Sequence, residues 1–65
     1  MVTTQYDKLL TQKEVVEWTG MSHAWFEISR FKGTGIPYVK IGRSVRYRTS
    51  DVQRWIESNV VGTGI

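Results

Sequence analysis

Gly33-Thr34-Gly35-Ile36-Pro37-Tyr38-Val39-Lys40-Ile41-Gly42-Arg43-Ser44-Val45-Arg46-Tyr47-Arg48 is the run that decides the fold. Pro37 pushes Ile36 toward extended backbone, because the pyrrolidine ring clashes with a helical residue before it. From Tyr38 to Arg48 the pattern has period two. Val39 and Ile41 alternate with Tyr38 and Lys40; Val45 and Tyr47 alternate with Arg46 and Arg48. Gly42-Arg43-Ser44 lies between them and reads as a hairpin tip. A two-residue loop at Gly42-Arg43 pairs Val39 with Arg46 and mixes apolar and charged side chains on one face. An odd loop pairs Ile41 with Val45 and Val39 with Tyr47, leaving Tyr38, Lys40, Arg46 and Arg48 on the opposite face. A one-residue slip moves every side chain across the sheet, so the odd loop is the predicted register. Its turn type stays open, since Gly42 is not where a simple bulged turn prefers glycine.

Helices are predicted on both sides of the hairpin. Upstream, Thr11-Gln12-Lys13-Glu14 is a capping box opening a helix over about Gln12 to Trp18. Val15, Val16 and Trp18 cover its inner face, and Gly20 suits a left-handed stop. Ser22 caps a second helix from about His23 to Phe31 or Lys32, with Phe26 as its buried anchor and Ser29 one turn on. Downstream, Ser50-Asp51-Val52-Gln53 reads as another capping box, opening a third helix over about Asp51 to Asn59. Val52, Trp55 and Ile56 sit at helical spacing and close the core, and Asp51 complements the macrodipole. Residues 1–8 read as a flexible arm, 9–59 as the folded domain, and 60–65 as a mobile, uncharged tail.

Composition bounds what such a chain can do. Its 65 residues support one domain with a thin core, worth roughly 3–5 kcal/mol net. That leaves little room for a deep catalytic cavity. With 0 cysteines there is no disulfide, zinc knuckle or thiol chemistry, which suits the cytoplasm. The lone histidine, His23, cannot build a multi-histidine metal site. No apolar run is long enough to span a membrane, and the first ten residues carry no signal-peptide pattern. We therefore expect no enzyme, no catalytic or metal residue and no cofactor.

Charge is unevenly distributed. The net +3 is modest, but Arg30, Lys32, Lys40, Arg43, Arg46 and Arg48 all fall between residues 28 and 50, a window without Asp or Glu. A focused positive field raises encounter rates with polyanions. Two short helices joined by a glycine turn, then a basic hairpin, then a packing helix, make an α+β winged helix-turn-helix plan. The major groove of B-DNA admits one helix, whose N-terminal residues meet the base edges. A hairpin wing can lay a guanidinium into the adjacent minor groove. Arg43, beside the permissive Gly42, is placed for that.

The runs Leu9 to Val15, Gly20 to Ser22, Gly33 to Arg48 and Ser50 to Ile56 together resemble the excisionase-type (AlpA/MerR-like) winged helix-turn-helix family, most specifically between Pro37 and Trp55. The resemblance implies a small phage or mobile-element protein that binds and bends double-stranded DNA. Such proteins act as recombination directionality factors beside an integrase, often cooperatively on adjacent sites, or as transcriptional regulators. Many relatives carry several arginines in the second helix. Here the helix runs His23, Ala24, Trp25, Glu27, Ile28 and Ser29, with Arg30 and Lys32 near its end. Fewer cations there favour cooperative assembly or heavier reliance on the wing.

The candidate contacts follow. On the recognition helix they are Ser22, His23, Ala24, Glu27, Ile28, Arg30 and Lys32. On the wing they are Lys40, Gly42, Arg43, Ser44, Arg46 and Arg48, with Lys40 and Arg46 expected on one face. Glu27 accepts from cytosine N4 or pairs with Arg30; Arg48 contacts phosphate or braces the third helix. Trp18 and Trp55 are expected in the core. Trp25 and Phe31 pack on the core or on another copy, and with the Val60-Val61 tail they also fit a protein-interaction adaptor or antirepressor.

Overall fold

Leu9 and Leu10 form the first element, a two-residue strand β1 (Leu9–Leu10) that periodicity is too short to reveal. It is followed by α1 (Gln12–Thr19), α2 (His23–Lys32), β2 (Val39–Ile41), β3 (Ser44–Arg48) and α3 (Thr49–Ser58). The structure is a computed structural model and describes residues 8–62. Residues 1–7 of the expected arm and 63–65 of the expected tail lie outside the described residues. The three strands make one antiparallel sheet in the order β1-β3-β2. With three helices this is a small α+β domain, compatible with a winged helix arrangement. Among the described residues no helix is long and apolar enough to cross a membrane.

The first capping box forms as expected. The Glu14 amide donates to Thr11 Oγ1 at 3.2 Å and the Thr11 amide to Glu14 Oε1 at 2.9 Å. Gly20, at φ 77°, ends α1 and donates to the Val16 carbonyl at 2.8 Å. Ser22 Oγ accepts from the Trp25 amide at 3.0 Å, fixing the start of α2. Its other end is a Schellman stop: the Gly33 amide donates to the Arg30 carbonyl and the Thr34 amide to the Ser29 carbonyl.

The second capping box does not form. α3 starts earlier than expected, at Thr49, with Arg48 at the cap and no side-chain cap bond. The cause is in the sheet. β1 pairs with β3, and both the Thr49 amide (3.1 Å) and hydroxyl (2.8 Å) donate to the Lys8 carbonyl. That anchor winds the chain directly from strand into helix, so Ser50 sits inside the first turn.

The hairpin register also departs from expectation. Val39 pairs with Arg46, Lys40 with Val45 and Ile41 with Ser44, so the loop is the two residues Gly42-Arg43. Gly42 has φ 61°, and no described non-glycine residue has positive φ. This is the pattern of a type II′ turn, with glycine first of the two central residues. Hydrophobic patterning loses here because the core reaches only the base of the hairpin. Tyr47 is buried, whereas Ile41 is 55% exposed and Lys40 and Ser44 face water. Where both faces are solvated, side-chain polarity does not select a register, and the turn does.

The core joins all layers: Leu10, Val15, Phe26, Ile36, Tyr47 and Val52, with Val16, Met21, Trp25, Val45, Trp55 and Ile56 against it. Phe26 meets Tyr47 edge-on at 5.5 Å, and Trp25 lies between Phe26 and Trp55 at 4.9 and 5.3 Å. Trp18, expected in the core, is 44% exposed. It lines an open groove with Met21, Trp55, Ile56 and Val60. In an eight-residue helix, Val15 fills the narrow inner stripe and leaves Trp18 at its edge.

Candidate nucleic-acid interface

The outer face of α2 is set by what its inner face buries. Phe26 and Ser29 point into the core. At 3.6 residues per turn this turns His23, Ala24, Glu27, Ile28 and Phe31 outward, with Lys32 at the C-terminal end. All six are exposed, Ile28 at 53% and Phe31 at 94%. Ser22 precedes them, its hydroxyl already engaged by the Trp25 amide. The stripe bears one acid, one histidine and two large apolar side chains; its only strong cation is Lys32.

Arg30 departs most from its expected place. It is half-buried beneath the helix, not beside the other candidates. Its Nη1 donates to Gln12 Oε1 and to the Tyr47 hydroxyl, each at 2.7 Å, and its guanidinium lies over the Tyr38 ring at 5.9 Å. Arg30 therefore joins α1, α2 and β3. Glu27 is exposed on the outer stripe, and the Arg30 guanidinium is bonded to Gln12 and Tyr47 instead.

The wing separates residues that were expected together. Directly paired residues share a sheet face. Lys40 therefore lies with Val45, on the face of Tyr47, while Arg46 lies with Val39 on the other. Lys40 and Arg46 are on opposite faces, a consequence of the two-residue loop. Arg46 is half-buried; it donates to the Val45 carbonyl at 2.9 Å and sits close enough to Glu14 to help hold that carboxyl below the usual range. Arg48 braces α3: its Nε donates to Asp51 Oδ2 at 2.7 Å, and Asp51 is buried. Arg54 reaches the same carboxylate at 3.6 Å. Gly42, Arg43 and Ser44 are exposed at the tip, and nothing lies within 4 Å of where a Gly42 side chain would begin.

The fold thus groups the candidates into an α2 stripe and a wing with cations on both faces. Arg30, half-buried, and Arg48, exposed but bonded to buried Asp51, act as struts between elements. Three participants carried no signal in the sequence: Gln12, Tyr38 and the Tyr47 hydroxyl, which meet around Arg30. A polar residue in a first helical turn and two tyrosines in a strand pattern are ordinary; only their convergence is informative. Comparison of the chain with protein-family models, curated proteins and solved structures finds no match.

Proposed function

We propose that this protein binds and bends double-stranded DNA as a winged helix-turn-helix factor, in the manner of the excisionase-type proteins it resembles. On this reading α2 enters the major groove by its His23 end, and the Gly42-Arg43 tip enters the adjacent minor groove. Lys32, Lys40 and Arg46 meet phosphates on the way. The observation that carries it is the coupling of helix to wing. Arg30 bonds the Tyr47 hydroxyl at 2.7 Å, and Phe26 packs edge-on to the same ring. A two-groove grip needs that fixed spacing, and a charge-assisted bond at the edge of the core supplies it.

A module of this size offers DNA roughly 600–1,000 Å², which favours several copies on adjacent sites beside an integrase partner in the cytoplasm. A regulator of transcription with the same fold differs in having one promoter operator. Footprinting across neighbouring DNA separates the two by site number and spacing. The 94% exposure of Phe31 together with Val60 and Val61 supports a second reading, an adaptor or antirepressor that binds protein.

Salt titration tests the central claim. If Lys32, Lys40, Arg43 and Arg46 neutralise about four phosphates, log affinity falls against log salt with a slope of roughly −3.6. A slope near zero, with the amides of α2 and residues 40–48 unmoved by duplex DNA in NMR titration, overturns it.

A further inference from the structure

The first residue of α2 is held by a chain of forced hydrogen bonds. Arg30 Nη1 lies 2.7 Å from Gln12 Oε1, and the other end of the Gln12 amide lies 2.7 Å from His23 Nδ1. Guanidinium has donors and no acceptor. The Gln12 atom facing Arg30 is therefore its carbonyl oxygen, and the NH2 group is turned to His23. That group has only hydrogens to offer along this contact, so Nδ1 accepts. A neutral imidazole with an accepting Nδ1 carries its proton on Nε2. The tautomer follows from partner chemistry, without any hydrogen having to be located.

We propose that Gln12 and Arg30 hold His23 as an Nε2–H donor, and that His23 thereby selects a hydrogen-bond acceptor, guanine first, at one base pair of the DNA site. This rests on the DNA-binding reading above. His23 is exposed at the end of the helix that meets base edges in this class of fold. Its Nδ1 is committed to α1, which leaves Nε2–H as the group available to a ligand. Guanine presents N7 and O6 acceptors to the major groove, whereas cytosine presents its N4 amino donor. A donor at Nε2 matches the first and opposes the second. Arg30 touches no base on this account; with Gln12 it is a positioning residue. The Tyr47 hydroxyl and the Tyr38 ring hold its guanidinium in place from the sheet side.

The test is Gln12→Glu, studied in buffer alkaline enough to keep imidazole neutral. The carboxylate still accepts from Arg30, but it can only accept from His23 as well. The ring proton then moves to Nδ1, and Nε2 becomes an acceptor. Long-range proton–nitrogen NMR of the free protein reads this directly. The wild type is expected to show a pyridine-like Nδ1 and a pyrrole-like Nε2, and the variant the reverse. Selection from a random duplex pool then reports base choice. We expect guanine at one position for the wild type and cytosine for the variant, a swing of about tenfold. Gln12→Met, which removes both bonds, is expected to mix the tautomers and flatten the preference at that position alone.

A wild-type ring with its pyridine-like nitrogen at Nε2 overturns the proposal, whatever the protein does to DNA. So does an unchanged base preference once the tautomer has reversed. A wild-type protein with the stated tautomer that selects no duplex and shows no salt-dependent binding overturns the DNA reading, and base selection by His23 with it. The two failures are therefore separable.

Discussion

Ser29 and Gly35 are packed so closely that a Cβ on Gly35 would stand 2.9 Å from Ser29 Cβ and 3.4 Å from Trp25 Cη2. The turn after α2 folds back over the helix at this point and delivers Ile36 into the core. A larger side chain at position 29 would hold that turn away. The small buried serine, the glycine and the Trp25 ring act together to close one edge of the domain.

Two glycine substitutions separate backbone strain from this contact. Gly33 (φ 74°) and Gly35 (φ 83°) both need the left-handed region, but only Gly35 has neighbours within 4 Å. Gly33→Ala is expected to cost about 1–2 kcal/mol. Gly35→Ala adds the clash and is expected to cost roughly 1–3 kcal/mol more. Urea unfolding of the two variants measures the difference; equal losses would mean that the Ser29 contact gives way freely.

Arg43 and Arg48 are expected to behave oppositely. Arg43 is exposed at the tip, so Arg43→Ala should leave stability within about 0.5 kcal/mol. It should also lower the magnitude of the salt slope of DNA binding by about 0.9. Arg48→Ala should lower stability, because it removes the 2.7 Å partner of a buried carboxylate. Paired melting and salt titrations check both halves.

Asp51 gives the same test from the acid's side. It is only 5% exposed and accepts from Arg48 Nε. Asp51→Ala removes the charge-assisted bond to Arg48 and the acidic group of the first turn of α3, and should cost about 1–3 kcal/mol. Arg54 is 77% exposed and 3.6 Å from the same carboxylate, so Arg54→Ala should change stability by less than about 0.5 kcal/mol. Denaturant midpoints at one pH decide the ranking.

Glu14 makes the stability pH-dependent on the acid side. Its carboxyl is held below the usual range, chiefly by the hydrogen bond from the Thr11 amide. Desolvation opposes this, while the Thr11 hydroxyl, Lys8 and Arg46 reinforce it. A depressed carboxylate stabilises the fold above its unfolded pKa, and that contribution disappears as pH falls through the folded value. Glutamine preserves the shape of the capping box but does not titrate. The stability lost in Glu14→Gln should therefore be present at neutral pH and vanish in acid. Unfolding curves across that range check it; a deficit independent of pH would assign the effect to shape.

Local chemistry made much of this domain legible. Thr11 and Glu14 cap each other across three residues, Ser22 caps its own helix, and Gly20 and Gly33 stop theirs; each device needs only near neighbours. The candidate interface was legible in part. His23, Ala24, Glu27, Ile28 and Lys32 follow from placing Phe26 inside. Arg30 was misplaced among the outward contacts because its partners, Gln12 and Tyr47, are brought to it by packing. For Arg48 the sequence left two roles open, and the brace to α3 is present, through Asp51 three residues on.

The hairpin marks the boundary most sharply. Alternation in the chain established that two strands and a basic tip lie between residues 38 and 48, since period-two patterning and a central glycine are properties of adjacent residues. Which face each cation occupies was settled by folding, because the core covers only the hairpin's base and the Gly42-Arg43 turn alone sets the register at its tip. The start of α3 and the strand at Leu9–Leu10 arose the same way. Both depend on pairings between distant parts of the chain, Leu9 with Arg48 and Lys8 with Thr49, which no local pattern encodes.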